Sequence, residues 1–242
     1  LELGNAKEVR WLDMALWDAC REGEAEAVDL RGRACYGGLD RASTSDMASQ
    51  RLVFPPLVAG EPYRVRVWYW IPGDNLVERV RRDRVDYDLW QQQGLVALTP
   101  GNVIDYGQIL AAIVGRHGVA GLPDIEGLAE MYDIREIAFD RWGAVRISQD
   151  LEGAGLTMVQ FGQGFVSMAR PTREIARMVA NRELLHDGNR VLRWNVNNVA
   201  VEGDAAGNLK PSKKKSREKI DGLVAVIMGL DRAMLQEAEA SW

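Results

Sequence analysis

Residues 64–71 read RVRVWYWI, in which every second side chain belongs to the same face. This period of two predicts a β-strand, and Pro72 and Gly73 predict its end. Working outward, further strands are predicted at about residues 34–41, 51–54, 135–140 and 156–161. Helices are predicted over residues 11–21, 75–93 and 105–117, from Pro171 onward and from near Asp221 onward, with a hairpin over about 197–209 that turns at 204–208. Because strands come first and helices alternate with later strands, this order predicts an α/β fold whose central mixed sheet has about five or more strands and helices on both faces.

The composition argues against several classes of function. The 242 residues carry a formal net charge of −5, so the chain is not basic throughout, although a local basic patch remains compatible with nucleic-acid binding. Cys20 and Cys35 match no zinc-ligand spacing and are predicted to be buried, reduced thiols. His117 and His186 are the only histidines, which leaves little support for a Ser–His–Asp triad. There is no G-x-x-x-x-G-K-[ST] motif, which speaks against a P-loop ATPase, and no apolar run long enough for a transmembrane helix.

Three aspartates stand at the ends of apolar segments. Asp40 and Asp140 each end a predicted strand, and Asp221 lies in the first turn of the closing apolar helix. Strand ends at one edge of an α/β sheet commonly form ligand sites. If the three carboxylates meet there, their repulsion demands a cation, and a set of oxygen ligands favours Mg²⁺ or Mn²⁺. Taken singly, however, each aspartate is more typical of a turn or of a helix N-terminus, so the pattern alone leaves the structural interpretation open.

Four segments carry a resemblance to a known family. They are GGLDRASTSDMAS (37–49), WYWIPGDNLVERVRRDRVDYDLWQQQGLVALTPGNVIDY (68–106), IREIAFDRWGA (134–144) and KSREKIDGLVAVIMGLDRA (215–233). In this order, they resemble the nuclease half of the large terminase subunit of tailed bacteriophages, over about residues 11–234. The resemblance implies a ribonuclease H-like fold and a metal-dependent endonuclease. Such an enzyme cuts concatemeric viral double-stranded DNA during genome packaging, and its site holds two Mg²⁺ or Mn²⁺ ions.

The resemblance also assigns roles to individual residues. Asp40, Asp140 and Asp221 match the metal ligands of the family, which makes them the candidate catalytic residues. Asp46 matches a fourth acidic position found in some members, although a capping or turn role after STS is equally compatible with it. Arg41 departs from the apolar residue that the family usually has there, and it is either a phosphate contact or a surface residue.

A basic stretch directly precedes Asp221. Beside a carboxylate cluster, these side chains are candidates to hold the phosphates of DNA, although most short charge runs are simply solvated loops. The candidate DNA-binding residues are Lys213, Lys214, Lys215, Arg217 and Lys219, together with Lys210 at the start of the stretch. Trp68, Trp70, Trp90 and Trp142 are predicted to pack in the core and not to stack on bases. Since no base-reading motif is present, cleavage is expected to show little sequence specificity.

The predicted organisation has two parts. Residues 1–33 form an N-terminal helix and linker that would adjoin the ATPase half of a terminase, and residues 34–242 form the nuclease domain. The resemblance implies double-stranded DNA, that ATPase domain, the portal protein and the small terminase subunit as partners, with no membrane. It also implies a location in the host cell cytoplasm and absence from the mature virion. Two alternatives stay open: another ribonuclease H-like nuclease, such as a junction resolvase or transposase core, and a weakly active docking module for the portal or small terminase subunit.

Overall fold

The computed structural model describes residues 11–40, 47–140, 145–216 and 219–240, and the side chains of all of these except Asp40, 145–146 and 237–240. The strands are β1 (Ala34–Asp40), β2 (Ala48–Phe54), β3 (Tyr63–Pro72), β4 (Ala97–Thr99), β5 (Asp133–Asp140), β6 (Met158–Phe161), β7 (Leu184–His186), β8 (Val201–Gly203) and β9 (Leu209–Pro211). The helices are α1 (Met14–Ala19), α2 (Leu76–Asp83), α3 (Tyr87–Gln92), α4 (Tyr106–Val114), α5 (Leu128–Met131), α6 (Val145–Gly153), α7 (Phe165–Ala180), α8 (Arg190–Asn198) and α9 (Asp221–Ala240).

Seven of the strands form one mixed sheet in the order β4-β3-β2-β1-β5-β6, with β7 also paired to β3. β1, β2 and β3 are successive antiparallel neighbours. On the other side of β1, β5 and β6 run parallel to it and to each other. β8 and β9 form a separate two-stranded hairpin. The sheet therefore has a parallel half in which the strands β1, β5 and β6 all end at the same edge.

Each face of this sheet is covered by its own apolar core. One core joins β1–β3 to α1, α3, α7, α8 and the apolar side of α9. The other core lies on the opposite face, beneath α4, α5 and α6. Both faces of β3 are largely buried, because Val65, Val67, Tyr69 and Ile71 belong to one core while Trp70, with Trp68 beside it, contacts the other. Trp90 is buried as well. The predicted mixed sheet with helices on both faces is confirmed.

Several predicted boundaries are wrong, each for a local reason. The single helix predicted over residues 75–93 is two helices, because Arg84 adopts a left-handed conformation (φ 54°) between α2 and α3. This break turns Val85 and Tyr87 into the core. The helix predicted over residues 105–117 is shorter: the Asp105 side chain caps its start, and Gly115, with φ 89°, ends it.

The helix predicted to begin at Pro171 begins six residues earlier in the chain, at Phe165. Pro171 lies inside α7, where its ring nitrogen has no hydrogen to donate along the helix. Burial of Met168, Pro171 and Ile175 in the core offsets that loss. The N-terminal helix starts at Met14, after the Asp13 cap, and the hairpin starts at Val201 because residues 197–198 end α8. β4, β7, α5, α6 and α8 are absent from the predictions.

The segment before β1 packs onto the sheet. Met14 and Trp17 of α1 belong to the core that α9 covers. Glu22 forms ion pairs with Arg64 and Arg66 of β3, and the Arg64 pair is 2.9 Å long between largely buried side chains. These contacts join residues 11–33 to the rest of the fold, while the predicted division at residue 33 stays a prediction.

His186 connects α1 to the sheet and should make stability depend on pH. Its ring stacks on Trp17 at 4.4 Å, Nε2 lies 2.9 Å from the Trp17 carbonyl oxygen, and Nδ1 accepts a hydrogen bond from the Gly188 amide. Burial lowers the pKa of His186 below its ordinary value of 6.5. His186 therefore binds a proton more tightly in the unfolded chain than in the folded protein. The stability that neutral, buried His186 contributes is complete above about pH 6.5 and is lost as pH falls through its folded pKa.

We expect the melting temperature to decrease from about pH 7.5 to about pH 5.5. Replacing His186 with asparagine should flatten this dependence, whereas replacing the exposed His117 with glutamine should preserve it. Differential scanning fluorimetry across the pH series measures both slopes. An unchanged slope in the His186→Asn variant would contradict this explanation.

Cys20 and Cys35 are free and buried, as predicted. Burial raises the pKa of both thiols, which keeps them protonated and unreactive at neutral pH. None of the described helices combines the length and the apolar character needed to cross a membrane.

Candidate metal centre

The two strand-ending aspartates are neighbours in the sheet. β1 and β5 are parallel, and Leu39 is in register with Phe139, so Asp40 and Asp140 follow at the same level on adjacent strands. Adjacent strands are separated by about 4.8 Å. Gly38 and Ala138, two residues earlier, lie on the face that α9 covers, and strand alternation puts positions 40 and 140 on that face as well. Asp140 is half-buried and is paired in turn with Phe161 of β6.

α9 carries Asp221 to the same edge of the sheet. A Cβ atom added at Gly38 would lie 1.8 Å from the Ala225 carbonyl oxygen, so helix and strand backbones are in direct contact there. At Gly229, a Cβ atom would lie 3.0 Å from the Tyr36 carbonyl oxygen. From Ala225 to Gly229 the helix advances four residues while the strand goes back two, from Gly38 to Tyr36, and each step covers about 6–7 Å. α9 and β1 are therefore antiparallel. The same step in the other direction places Asp221, at the helix start, level with Asp40.

The backbone thus brings positions 40, 140 and 221 to one edge of one face. Among the residues whose side chains are described, no group of three His, Cys, Asp or Glu side chains is close enough to hold a metal ion. The Asp40 carboxylate lies outside that set, as do Arg41, Asp46, Trp142 and Arg217, so their predicted roles stay predictions.

Lys213 reaches the candidate site from the loop that follows β9. Its Nζ atom lies 2.6 Å from Asp221 Oδ1, and the Asp221 side chain is only 17% exposed. Lys213 also lines a cavity of about 330 Å³ with Lys210, Lys214, Glu202 and Gln163, among others. The β8–β9 hairpin and its lysines therefore border the start of α9.

The remaining predicted basic residues differ in their surroundings. Lys214 and Lys215 are exposed. Lys210 is 2.8 Å from Glu202, and its charge also lies over the Phe165 ring at 5.3 Å. Lys219 is mostly buried, and its Nζ atom lies 3.9 Å from Asp83 Oδ2. Lys214 and Lys215 are thus better placed than Lys219 to meet an external phosphate.

Three buried polar side chains surround the first turn of α9, and sequence reasoning missed all of them. Arg51 Nε donates to the Gly222 carbonyl oxygen (3.1 Å), while Tyr69 and Asn195 are hydrogen-bonded to each other beside it. One signal was available: Arg51 is a charged residue in ASQRLVF, a strand that is otherwise buried, and it is itself fully buried. Asn195 carried no such signal, because α8 was not predicted.

The residues present fit a hard divalent cation. Asp140 and Asp221 are described carboxylates at this edge, and the buried Ser49 hydroxyl, in register with Asp40, has no hydrogen-bond partner in the described part of the chain. Oxygen donors of this kind suit Mg²⁺ and Mn²⁺. A divalent cation at this edge would also offset the repulsion between neighbouring carboxylates.

The strand order and the helices on both faces place the chain in the ribonuclease H-like class of α/β folds. Residues 1–237 match the sequence model of the terminase large subunit, endonuclease domain. The chain belongs to this family, which confirms the resemblance carried by the four motifs.

Individual relatives agree with this assignment. The chain is 31% identical over 229 residues to the large terminase subunit of Enterobacteria phage HK97, covering 92% of this chain and 41% of that protein. It is 28% identical over 238 residues to protein YmfN of Escherichia coli (strain K12), covering 95% of this chain and 50% of that protein. The crystal structure of the HK97 large terminase superposes with a TM-score of 0.77 at 29% identity, over 93% of this chain and 44% of that one. The chain therefore spans half or less of the length of these relatives.

Proposed function

We propose that this chain is a metal-dependent endonuclease that cuts double-stranded, concatemeric viral DNA during genome packaging. The observation that carries the proposal is the register in which Asp40 and Asp140 end adjacent parallel strands, with the start of α9 above them. Membership of the terminase endonuclease family supports the reaction class.

Asp40, Asp140 and Asp221 are the proposed ligands of two Mg²⁺ or Mn²⁺ ions. When bound, the two ions supply activation of the attacking water and stabilisation of the leaving oxygen. The chain's own contribution is to hold three carboxylates on rigid elements, two strands and one helix. Lys213 is proposed to leave Asp221 and hold the phosphate of bound DNA, because its ammonium group would be repelled by a cation held at Asp221.

The proposed DNA contacts are to phosphates. Lys214 and Lys215, exposed beside the cavity next to α9, are proposed to hold the strand to be cut, with the β8–β9 hairpin guiding the duplex. Contacts of this kind position DNA without reading its sequence. The proposed cleavage therefore has little sequence specificity.

The proposed setting is that of a packaging enzyme in the host cell cytoplasm. The HK97 relative is more than twice the length of the matched segment, so the ATPase portion of such a protein is a proposed neighbour of this domain. The portal protein and the small terminase subunit are the other proposed partners, and the protein is proposed to be absent from the mature virion.

Digestion of supercoiled plasmid with a titration of Mg²⁺ and Mn²⁺ tests the proposed function. We expect nicked and linear products at millimolar metal and none in EDTA. No cleavage at any metal concentration would overturn the proposed activity and favour the docking module. Strong preference for a branched substrate over linear duplex would instead favour a resolvase-like activity.

The lysine contacts make a separate prediction about salt dependence. Replacing Lys214 and Lys215 together with alanine should weaken binding to a non-cleaved duplex in Ca²⁺. Because each phosphate contact releases a counterion, the slope of log K against log salt should flatten by about 2. Fluorescence anisotropy over a salt series measures this change.

A charge-matched control is available at the opposite end of the strands. Arg31 precedes β1 and Arg135 lies near the start of β5, whereas Asp140 is at the other end of β5, and both arginine side chains are more than half exposed. The double variant Arg31→Ala/Arg135→Ala should bind DNA with an unchanged salt slope. Equal slopes in the two double variants would refute the assigned DNA surface.

A further inference from the structure

The first turn of α9 is held on both sides of Asp221 by buried polar groups. On one side, Asn195 Nδ2 donates to the Lys219 carbonyl oxygen at 2.9 Å. On the other side, Arg51 Nε donates to the Gly222 carbonyl oxygen at 3.1 Å. These two backbone oxygens flank residue 221, so the hydrogen bonds fix the position from which its carboxylate extends.

Arg51 is anchored to the sheet and not only to the helix. Its Nη1 atom donates to the Gln50 and Trp68 carbonyl oxygens at 2.9 and 3.0 Å, and its guanidinium lies 4.0 Å above the centre of the Tyr69 ring. The residue is fully buried. A buried charge usually contributes less stability than an apolar side chain of similar size, so stability alone does not explain an arginine here. Its planar, multiply donating group does explain how β2, β3 and α9 are held in one geometry.

Tyr69 connects Arg51 to Asn195. Its hydroxyl donates to Asn195 Oδ1 at 2.8 Å, which orients the Asn195 amide toward Lys219. Burial, with additional contributions from the Asp187 and Asp221 carboxylates, raises the pKa of Tyr69 well above its usual range. The phenol is therefore protonated at neutral pH and donates this hydrogen bond.

The glycine after Asp221 makes this close approach possible. A Cβ atom at Gly222 would lie 2.0 Å from Asn195 Oδ1, 2.6 Å from Arg51 Nη2 and 2.8 Å from the Tyr69 hydroxyl. Any other residue would push these groups away from the helix backbone. The KIDG motif thus pairs a proposed ligand with the glycine that admits the groups around it.

We propose that Arg51, Tyr69 and Asn195 are positioning residues that set the location of Asp221 relative to the ends of β1 and β5. This proposal rests on the proposed function for the role of Asp221 as a metal ligand. The three residues touch neither metal nor DNA in this scheme, and they act through the backbone on either side of residue 221. Groups that orient metal ligands in this way typically change metal affinity or activity by about 10–100-fold when they are removed.

The test uses Tyr69→Phe, which deletes one oxygen and leaves the ring over Arg51. We expect Mn²⁺ affinity in the absence of DNA, measured by electron paramagnetic resonance, to fall by about 10-fold or more. Plasmid cleavage at a fixed, subsaturating Mn²⁺ concentration should fall in parallel and recover partly when Mn²⁺ is raised. Asn195→Leu removes the amide oxygen that accepts from Tyr69 and the amide nitrogen that donates to Lys219. It should weaken Mn²⁺ binding at least as much.

Two controls separate positioning from general loss of stability. Tyr106 lies on the opposite face, and its hydroxyl has no hydrogen-bond partner among the described residues, so Tyr106→Phe removes an equivalent oxygen without breaking a bond. Ile113→Val destabilises the core of that same face without touching α9. Both variants should bind Mn²⁺ within about twofold of the unmodified chain, because neither touches the start of α9.

The outcomes distinguish the two proposals. If the unmodified chain binds Mn²⁺ and Asp221→Asn abolishes binding, but Tyr69→Phe and Asn195→Leu bind normally, the positioning role is overturned and the proposed function stands. If the unmodified chain does not bind Mn²⁺, or Asp221→Asn binds it unchanged, the proposed function itself is overturned.

Discussion

Replacing Asp140 with asparagine should leave the fold intact and reduce plasmid cleavage by at least about a thousandfold. Asparagine keeps the size of the side chain and one of its oxygens but removes the negative charge that a hard divalent cation requires. A metal ion contributes several kcal/mol of charge stabilisation to hydrolysis, and about 4 kcal/mol corresponds to a thousandfold in rate. Asp140 is half-buried at the end of β5, so this near-isosteric change leaves strand pairing in place.

The control lies on the same strand. Asp133 begins β5 as Asp140 ends it, so the two carboxylates stand at opposite edges of the sheet. Asp133→Asn should retain full cleavage activity, while Asp40→Asn and Asp221→Asn should match Asp140→Asn. Gel assays of nicked and linear plasmid over a Mn²⁺ titration measure activity, and circular dichroism measures the fold. Full activity of Asp140→Asn, or equal losses in Asp140→Asn and Asp133→Asn, would refute the site.

Replacing Gly38 with alanine should produce the largest loss of stability among the proposed substitutions. The new Cβ atom would lie 1.8 Å from the Ala225 carbonyl oxygen and 3.1 Å from its Cα atom, and a backbone cannot move aside as a flexible side chain can. Helix α9 must therefore separate from β1, and the unfolding free energy should fall by about 3 kcal/mol or more. For a domain of this size, the melting temperature should decrease by about 6 °C or more.

This substitution should also impair the proposed site, because separating α9 from β1 moves Asp221 away from Asp40. Gly153 provides the comparison: it lies at the end of α6, and a Cβ atom there meets nothing within 4 Å. Gly153→Ala should be neutral or slightly stabilising, because alanine favours the helix over glycine. Thermal and urea denaturation measure both variants. Equal stability of Gly38→Ala and Gly153→Ala would contradict the close contact between α9 and β1.

The local sequence pattern predicted strands and turns correctly where tertiary packing agrees with the local preference. The alternation in residues 64–71 predicted β3 because Val65, Val67, Tyr69 and Ile71 all face one core. The predicted turn at 204–208 is the turn between β8 and β9. Pattern failed where tertiary packing overrides a local preference. Pro171 is typical of a helix start, yet burial in the core keeps it inside α7. Residues 75–93 resemble one helix, yet the chain breaks at Arg84, where Val85 and Tyr87 turn into the core.

The candidate site likewise contains residues that the sequence pattern identified and residues that it did not. Its three aspartates stood out in the sequence because each ends or begins an apolar element, and family resemblance gave them roles. The residues around them did not stand out. Arg51 and Asn195 are 144 positions apart in sequence, and only the packing of β2 and α8 against α9 brings them to one helical turn.

The sequence by itself predicted the strands β1, β2, β3, β5 and β6, the helices α1, α4, α7 and α9, and the order of these elements, since they depend on periodicity and on near neighbours along the chain. The tertiary structure alone decided which strand ends are adjacent, how α9 is aligned on β1 and which buried groups hold its first turn. The physical reason is that register is a non-local property: it is set where Gly38 allows the Ala225 backbone to touch β1, and no local pattern records that contact.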